Sequence, residues 1–241
     1  MTGERDMVSE LRRDVCDANK DLARRGLARF TFGNASAIDR ATGLVVIKPS
    51  GVSYEELTPA HMVVVDLNGR VVQGDLRPSS DMPTHVELYR AFDAIGGVTH
   101  THSRYATLWA QSEREIPCFG TTHADYFHGA IPVTAHLAAT EIQSEYETNT
   151  GRAIVRRFAG IDPLRIPAVL VAGHASFCWG TTVGAAVEIA DLLEDVAFMA
   201  YGTVALNPSA EPLPTELLDK HFLRKHGPRA YYGQPGNNAS T

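Results

Sequence analysis

Residues 96–111 read GGVTHTHSRYATLWAQ, and this stretch predicts a strand that passes directly into a helix. Side chains alternate between the two faces of a strand, so His100 and His102 are predicted to point the same way, with Thr99 and Thr101 on the other face. Two imidazoles placed in this way can bind one metal ion through bonds of about 2.0–2.1 Å. A pair of ordinary surface or core histidines remains the alternative for so short a motif.

The segments around this stretch mix hairpins with helices. The first predicted hairpin joins SAID to LVVIKPSG, and the second is MVVVDLNGRVVQG, in which Asn68–Gly69 signals a tight turn. We predict further strands at residues 116–119 and, with a bend, 167–179, and helices at 8–25, after Asp81, at 183–201 and at 214–227. Strands and helices do not alternate regularly, which favours an α/β sandwich containing antiparallel strands.

Length and composition limit the class of protein. The 241 residues carry a formal net charge of -6, which argues against a general nucleic-acid binder because such proteins need excess Lys and Arg. No run of about 18 apolar residues is present to span a membrane, and the N-terminus lacks the apolar centre of a signal peptide. We expect one domain over residues 1–241, a disordered tail at 235–241 and a cytoplasmic location.

Cys16, Cys118 and Cys178 form no CxxC pair and are expected to be buried, reduced thiols.

Further histidines and a carboxylate extend the possible metal site. His174 lies in the apolar segment VLVAGHASF, and Asp81 lies in the polar segment RPSSDMPTH. Three histidines, one carboxylate and a position left for substrate compose a catalytic metal site. A hydrogen-bonded core histidine and a helix N-cap are the alternatives for these two residues. His85 and His123 are also possible ligands, and spacing alone does not choose among them.

Three short polar turns suit a phosphate group. They are Gly33–Asn34 in FGNAS, Ser50–Gly51 in IKPSG and Ser79–Ser80 in RPSSD, and Lys48 adds a positive charge. Glycine allows close approach of backbone N–H groups, and serine adds a hydroxyl donor. Each turn taken alone also reads as an ordinary loop.

Taken in order, the motifs resemble those of L-ribulose-5-phosphate 4-epimerases in the class II aldolase/adducin superfamily. The segments that carry the resemblance, over about residues 8–234, are FGNASAID, IKPSGVSY, RPSSDMPTH, GGVTHTHSRYATLWAQ, GTTHADYF, EYETNTG and LLDKHFLRKHGPRAYYGQ. The resemblance implies a three-layer sandwich, in which helices flank a central, mostly antiparallel sheet. It also implies a divalent metal ion (zinc, with Mn²⁺ or Co²⁺ as alternatives) and a homotetramer with active sites between neighbouring subunits.

The resemblance assigns a role to each matched position. It assigns the metal ligands to His100, His102, His174 and Asp81, and the phosphate to the three turns. It assigns acid/base chemistry to Asp125 and Tyr232, the latter supplied by an adjacent subunit together with His221. Thr121 and Glu147 match positions near the site. Two departures stand out: Ala175 replaces a glycine that is usual after the third histidine, and Phe32 occupies a position that is often Trp.

The implied reaction interconverts L-ribulose 5-phosphate and D-xylulose 5-phosphate. The C4 proton is not acidified by the C2 ketone, so inversion at C4 requires cleavage of the C3–C4 bond by a retro-aldol step and its re-formation. A class II aldolase or dehydratase acting on another phosphorylated ketose is the alternative, although aldolases tend to carry glutamate at the position of Asp81. A non-catalytic binding module is a second alternative, because the superfamily also includes cytoskeletal relatives that lack the metal ligands. Arabinose breakdown is the expected setting.

Overall fold

The computed structural model describes residues 2–233, with side chains from residue 7 onward; the predicted disordered tail at 235–241 lies outside the described residues. One sheet is present in this part of the chain, with strand order β4-β3-β2-β1-β5-β7-β6 and every neighbouring pair antiparallel. The strands are β1 (Asn34–Asp39), β2 (Leu44–Ile47), β3 (Val63–Val65), β4 (Val71–Gln73), β5 (Gly97–Thr101), β6 (Ala168–Leu170) and β7 (Ser176–Gly180).

Helices cover both faces of this sheet. They are α1 (Thr2–Arg24), α2 (Met82–Ala91), α3 (Arg104–Gln111), α4 (Thr121–Ala124), α5 (Ala139–Gln143), α6 (Tyr146–Arg157), α7 (Val183–Leu206) and α8 (Thr215–His226), with a 3-10 turn at Pro59–His61. One core packs α1, α3 and α7 against the sheet, and a second packs α2 and α6 against the opposite face. The predicted three-layer α/β sandwich is therefore confirmed.

Period-two alternation explains how the strands serve both cores. In β7, Phe177 and Trp179 belong to the core under α2 and α6, whereas Cys178 belongs to the core under α1, α3 and α7. In β5, Val98 lies in the α2/α6 core, while the hydroxyl of Thr99 reaches the carbonyl of Ala186 on α7. His100, two residues after Val98, therefore faces the α2/α6 side.

Most predicted elements are present, with altered limits. Both hairpins form, and the segment 167–179 is two antiparallel strands, β6 and β7, rather than one bent strand. Helix α1 begins before the predicted residue 8, and α7 continues past residue 201 to Leu206. Thr182 caps α7, because its side chain accepts a hydrogen bond from the amide of Ala185.

The predicted strand at residues 116–119 is wrong. Ile116 makes an isolated bridge to Ile131, and the ladder stops there because Pro117 has no N–H to donate. Helices α4, α5 and α6 were not predicted, since their short or polar sequences show no clear apolar stripe. All three cysteines are free and buried, as predicted.

Among residues 2–233, no helix combines the length and apolar character needed to cross a membrane.

Candidate metal centre and active site

Three imidazoles meet at one end of β5, on the α2/α6 side of the sheet. The ring centroids of His100, His102 and His174 lie 4.9 to 5.0 Å apart, and one ligand atom from each lies within 4.8 Å of the others. His102 directly follows β5, while His174 lies in the loop between β6 and β7, which pair beside β5. Antiparallel pairing of β5 with β7 therefore brings together side chains that are distant in sequence.

The ring of His100 is held in one orientation. It stacks on Phe177 with the centroids 4.3 Å apart, and its Nδ1 donates to the carbonyl oxygen of Ser176 at 2.9 Å. A carbonyl only accepts, so Nδ1 carries the proton and Nε2 of the neutral ring presents its lone pair. That lone pair faces Nε2 of His102 at 3.1 Å.

These nitrogens fit a divalent transition-metal ion. Bonds of about 2.0–2.1 Å in tetrahedral geometry place two ligand nitrogens roughly 3.3 Å apart, close to the 3.1 Å observed. Burial, together with the neighbouring His100 and His102, lowers the pKa of His174 to about 4, and burial is also the main cause that lowers the pKa of His102. His102 and His174 are therefore neutral at pH 7, the form that binds metal.

Asp81 lies beside the imidazoles in a network of its own. Its Oδ2 accepts a 2.7 Å hydrogen bond from the Nδ2 of Asn34, and the same amide nitrogen donates to Oγ of Ser79 at 3.1 Å. Burial would raise the pKa of Asp81, but His100, His85 and the Asn34 amide outweigh it and hold that pKa below its usual value. Asp81 is the N-cap residue of α2, but its side chain makes no capping hydrogen bond. A role as a helix cap therefore does not explain why an aspartate occupies this position.

The imidazoles and all three polar turns line a single cavity of about 390 Å³. The predicted site residues that it brings together are Gly33, Asn34, Lys48, Ser50, Gly51, Ser79, Ser80, Asp81, His100, His102, Glu147 and His174. Three larger or comparable cavities lie elsewhere in the described residues, on the α1/α7 side, beside α4, and beside α2 and α6. Only the cavity at the end of β5 combines the imidazoles with the polar turns in the described part of the chain.

Gly33 illustrates why this cavity needs its glycine. Its φ is +87°, and a Cβ there would lie 2.9 Å from the carbonyl oxygen of His100. A side chain would therefore be opposed both by the left-handed backbone and by the strand that carries the imidazoles. Gly33 therefore packs directly against the backbone of His100, so the turn at residues 32–34 contacts the strand that carries the first imidazole.

Lys48 is a buried cation at the base of the cavity. Only 1% of it is exposed, and its Nζ donates to the carbonyl oxygens of Val52 at 2.8 Å and Pro49 at 3.3 Å. The ammonium also lies 5.0 Å from the ring centroid of Tyr54. None of the ion pairs found among the described residues includes Lys48. Burial lowers its pKa to about 8, so the charge is retained at pH 7 and suits an anionic ligand.

Four predicted site residues, Thr121, Asp125, His221 and Tyr232, do not line this cavity. They lie where α8 packs on α4. Asp125 is the centre of a cluster there, which is named the acid/base cluster after the chemistry that the family resemblance assigns to Asp125 and Tyr232. Its carboxylate accepts from Arg224 at 2.8 and 3.1 Å and contacts Nδ1 of His221 at 3.0 Å and Nζ of Lys225 at 3.7 Å. Arg224 and Lys225 also lie 5.0 and 4.5 Å from the ring centroid of Tyr232. Burial would raise the pKa of Asp125, but Arg224, His221 and Lys225 outweigh it and lower that pKa.

Sequence reasoning missed several cavity residues, notably Tyr146 at the start of α6. Its hydroxyl lies 3.4 Å from Nδ1 of His174. Tyr146 directly precedes Glu147 in the segment EYETNTG, which carries part of the family resemblance. His85 and His123, the other possible ligands, have structural partners instead: Ser36 holds Nδ1 of His85 at 2.7 Å, and the carbonyl of Gly129 holds Nε2 of His123 at 2.8 Å.

The departure at Ala175 causes no backbone strain. Among the described residues, positive φ values outside glycine occur at Phe30 and Glu113, so Ala175 has an ordinary backbone conformation. Gly173 supplies the positive φ, +69°, in this loop. The third histidine is therefore presented normally despite the change from glycine.

Comparison with known sequences agrees with this arrangement. Residues 13–201 match the family described as Class II Aldolase and Adducin N-terminal domain. The chain belongs to this family. Among class II aldolase relatives, proteins named L-ribulose-5-phosphate 4-epimerase UlaF from Salmonella paratyphi C and Salmonella choleraesuis are each 52% identical over 227 residues, covering 94% of this chain and 100% of theirs. The predicted family resemblance is confirmed.

Solved structures of class II aldolase type share the same fold. An L-fuculose 1-phosphate aldolase superimposes with a TM-score of 0.75 at 26% identity, covering 88% of this chain and 94% of that one. A Klebsiella pneumoniae protein, YgbL, described as a putative aldolase/epimerase/decarboxylase, gives a TM-score of 0.71 at 24% identity, covering 88% and 98%.

Proposed function

We propose that this chain is a metal-dependent L-ribulose-5-phosphate 4-epimerase, which interconverts L-ribulose 5-phosphate and D-xylulose 5-phosphate. The observation that carries the proposal is the single cavity in which three imidazoles stand beside a buried lysine and three polar turns. Relatives that bear this name are 52% identical over their whole length, which supports the same substrate.

His100, His102 and His174 would hold the divalent cation, with Asp81 as a further ligand. When bound, such a cation acts as a Lewis acid that polarises the C2 carbonyl and stabilises negative charge during C3–C4 cleavage. Zinc is the proposed ion because three imidazoles and a carboxylate suit it, and Mn²⁺ and Co²⁺ are alternatives. Against the effect of burial, His100 and His85, together with the hydrogen bond from Asn34, lower the pKa of Asp81 and keep its carboxylate ionised.

Lys48 and the three turns would bind the substrate's phosphate. The desolvated ammonium has no carboxylate partner among the described residues, and a phosphate supplies the missing negative charge. Gly51 has a φ of +72°, a conformation that exposes turn amides, and Ser50, Ser79 and Ser80 add hydroxyl donors. Holding the phosphate retains glycolaldehyde phosphate while it rotates between bond cleavage and re-formation.

Asp125 and Tyr232 would exchange the proton of the C4 oxygen. That oxygen lies on opposite sides of the fragment before and after rotation, so two proton-transfer groups are needed. Each such group typically contributes about 10²–10⁴-fold to the rate. The lowered pKa of Asp125 keeps it ionised as a base, and the phenol of Tyr232 is the proposed acid. Both groups contact Arg224 and Lys225, so they form one unit.

We propose that this unit serves the cavity of a neighbouring subunit in a homotetramer. Asp125, Thr121 and His221 do not line the cavity of their own chain, and Tyr232 is 56% exposed. Because His221 and Arg224 bind Asp125 within one chain, all these residues would reach the neighbour together. The assignment of Asp125 to the adjacent subunit extends the prediction for Tyr232 and His221.

An apolar surface near α4 supports assembly. The exposed side chains at the end of α7 are Phe198, Met199, Tyr201 and Leu206, and Leu206 is 90% exposed. Three of them, Phe198, Met199 and Leu206, border an apolar groove of about 360 Å³ that reaches α4. Contact between copies at this groove would bury these residues and place the acid/base cluster near a subunit boundary.

Glu147 and the unpartnered side of Asn34 are suited to the substrate's hydroxyl groups. The Oδ1 of Asn34 is buried and has no hydrogen-bond partner among the described residues. The backbone of Glu147 is fixed by the hydroxyl of Thr84, which donates to its carbonyl at 2.6 Å. The Oδ1 of Asn34 and the carboxylate of Glu147 are therefore the proposed acceptors at the cavity.

The biological setting is part of the proposal. Interconversion of two pentulose 5-phosphates suits the breakdown of pentoses, with arabinose as the proposed sugar. Three free, buried cysteines are compatible with the cytoplasm.

An aldolase or dehydratase acting on another phosphorylated ketose is the second candidate, favoured by the structural likeness to an L-fuculose 1-phosphate aldolase. The deciding assay incubates zinc-loaded protein with L-ribulose 5-phosphate and follows D-xylulose 5-phosphate by NMR, with His102→Asn as the inactive control. The epimerase predicts the pentulose product without net cleavage. Net cleavage of L-fuculose 1-phosphate, with no D-xylulose 5-phosphate formed, would overturn the proposal.

A further inference from the structure

The three imidazoles differ in what holds their rings. His100 is fixed by the carbonyl of Ser176 and by stacking on Phe177. His174 lies in a loop, where Gly173 has a φ of +69° and the amide of His174 donates to the carbonyl of Val171 at 2.9 Å. These contacts fix its backbone but leave the rotation of its ring to other groups.

Tyr146 is the side chain that reaches this ring. Its Oη lies 3.4 Å from Nδ1 of His174, and the two ring centroids are 6.3 Å apart. The contact is longer than a typical hydrogen bond of about 2.7–3.2 Å, but a small ring rotation would shorten it, and such contacts often tighten when an active site binds its ligands.

The phenol itself is well anchored. Tyr146 is the first residue of α6, and its backbone carbonyl accepts a 2.9 Å hydrogen bond from the hydroxyl of Thr150. The next residue, Glu147, is tied to α2 by the 2.6 Å hydrogen bond from Thr84. Gly151 packs so closely that a Cβ there would lie 2.6 Å from Cβ of Glu87. Tyr146 thus projects from a rigid pair of helices toward a histidine on a loop.

We propose that Tyr146 is a positioning residue, which accepts a hydrogen bond from Nδ1–H of His174 and so directs Nε2 of that ring to the cation. A neutral imidazole has one N–H, and a histidine that binds metal through one nitrogen usually donates from the other to a fixed acceptor. Ser176 supplies that acceptor for His100, and Tyr146 supplies it for His174. This inference rests on the proposed metal-dependent function.

A double-mutant cycle tests whether Tyr146 acts through His174. Zinc affinity is measured by competition with a chromophoric chelator in the wild type, Tyr146→Phe, His174→Ala and the double variant, with the visible spectrum of the Co²⁺ forms as a second readout. Tyr146→Phe should weaken zinc binding by roughly 10–100-fold and shift the cobalt bands. In the His174→Ala background the same change should have no further effect.

Tyr105→Phe is the matched control, because its ring packs against Phe198 and Tyr201 on the other side of the sheet. It should bind zinc like the wild type. Unchanged affinity and cobalt spectrum in Tyr146→Phe, or an equal loss with and without His174, would overturn the inference while leaving the epimerase proposal standing. A wild-type protein that binds no divalent cation would overturn both.

Nitrogen-15 NMR of the zinc-loaded wild type provides a test that requires no variant to fold. The inference predicts the proton of His174 on Nδ1. A proton on Nε2, with Nδ1 bound to zinc, would contradict it.

Discussion

Asn34 and His100 lie directly opposite each other on the antiparallel strands β1 and β5. The amide of Asn34 donates to Asp81 at 2.7 Å, so one cross-strand pair links the imidazole side of the site to its carboxylate side. The same register brings Gly33 against the carbonyl of His100. The proposed metal centre and the first proposed phosphate turn therefore lie together at one end of two neighbouring central strands.

Replacing His100 or His102 with Asn should remove metal binding and activity together. Each change deletes one of the mutually close nitrogens, so the affinity loss should exceed the roughly 10–100-fold typical of outer-shell partners. Metal content after dialysis and turnover with L-ribulose 5-phosphate measure the two effects. His61→Asn, on the 3-10 turn outside the cavity, is the control and should retain both; a His100→Asn protein that keeps its metal would contradict the assignment.

Tyr232→Phe should spare metal binding and lower kcat by about 10²–10⁴-fold, because it removes one proton-transfer group. Normal turnover in this variant would remove Tyr232 from the mechanism.

Mixing His100→Asn with Tyr232→Phe subunits tests whether sites are shared. If the acid/base cluster serves a neighbouring cavity, co-refolded hybrids contain intact sites, and about a quarter of wild-type activity should return at a one-to-one ratio in a cyclic oligomer. Each variant refolded alone is the control. If each chain used only its own residues, the mixture would stay as inactive as its components.

The pKa of Lys48, lowered to about 8 by burial, predicts an alkaline limit to substrate capture. The ammonium binds phosphate below this pH and loses its proton above it, so kcat/KM should fall as pH rises through about 8, since kcat/KM reports the free enzyme. Its effect on folding has the opposite sign: between pH 8 and the ordinary pKa of 10.5 the unfolded chain binds more protons, so the Lys48 contribution to stability rises with pH. Lys48→Arg keeps the charge and should move the limit upward; an unchanged profile would contradict the role of Lys48.

Gly33→Ala should destabilise the fold and weaken metal binding. Its Cβ would lie 2.9 Å from the carbonyl of His100 at a φ of +87°, a strained arrangement expected to cost about 1–3 kcal/mol. Gly26→Ala is the matched control, with a φ of +73° but no heavy atom within 4 Å. Urea unfolding should show the larger loss for Gly33→Ala, and zinc affinity should fall only in that variant. Equal effects of the two changes would mean that contact with His100 is unimportant.

Much of the fold and of the cavity could be predicted, because local sequence patterns indicate where strands, helices and turns lie. The two-residue spacing of His100 and His102 fixed their common face, and the glycine and serine turns were evident from composition. Short elements were harder. Pro117 ends the pairing of Ile116 after one bridge, which apolar character alone does not reveal.

Contacts between distant segments could not be predicted from pattern. Nothing local indicates that Tyr146 contacts His174, or that Arg224 joins Asp125 to Tyr232, because these contacts depend on how α6 and α8 dock. The resemblance supplied roles for Asp125 and Tyr232, and the structure adds that both belong to a separate cluster outside the cavity.

An anomalous-difference map at the zinc edge, from crystals grown with zinc, tests the central claim most directly. The account predicts one peak per chain, bonded to imidazole nitrogens of His100, His102 and His174. A zinc ion bound elsewhere, with these three rings hydrogen-bonded only to protein groups, would contradict it.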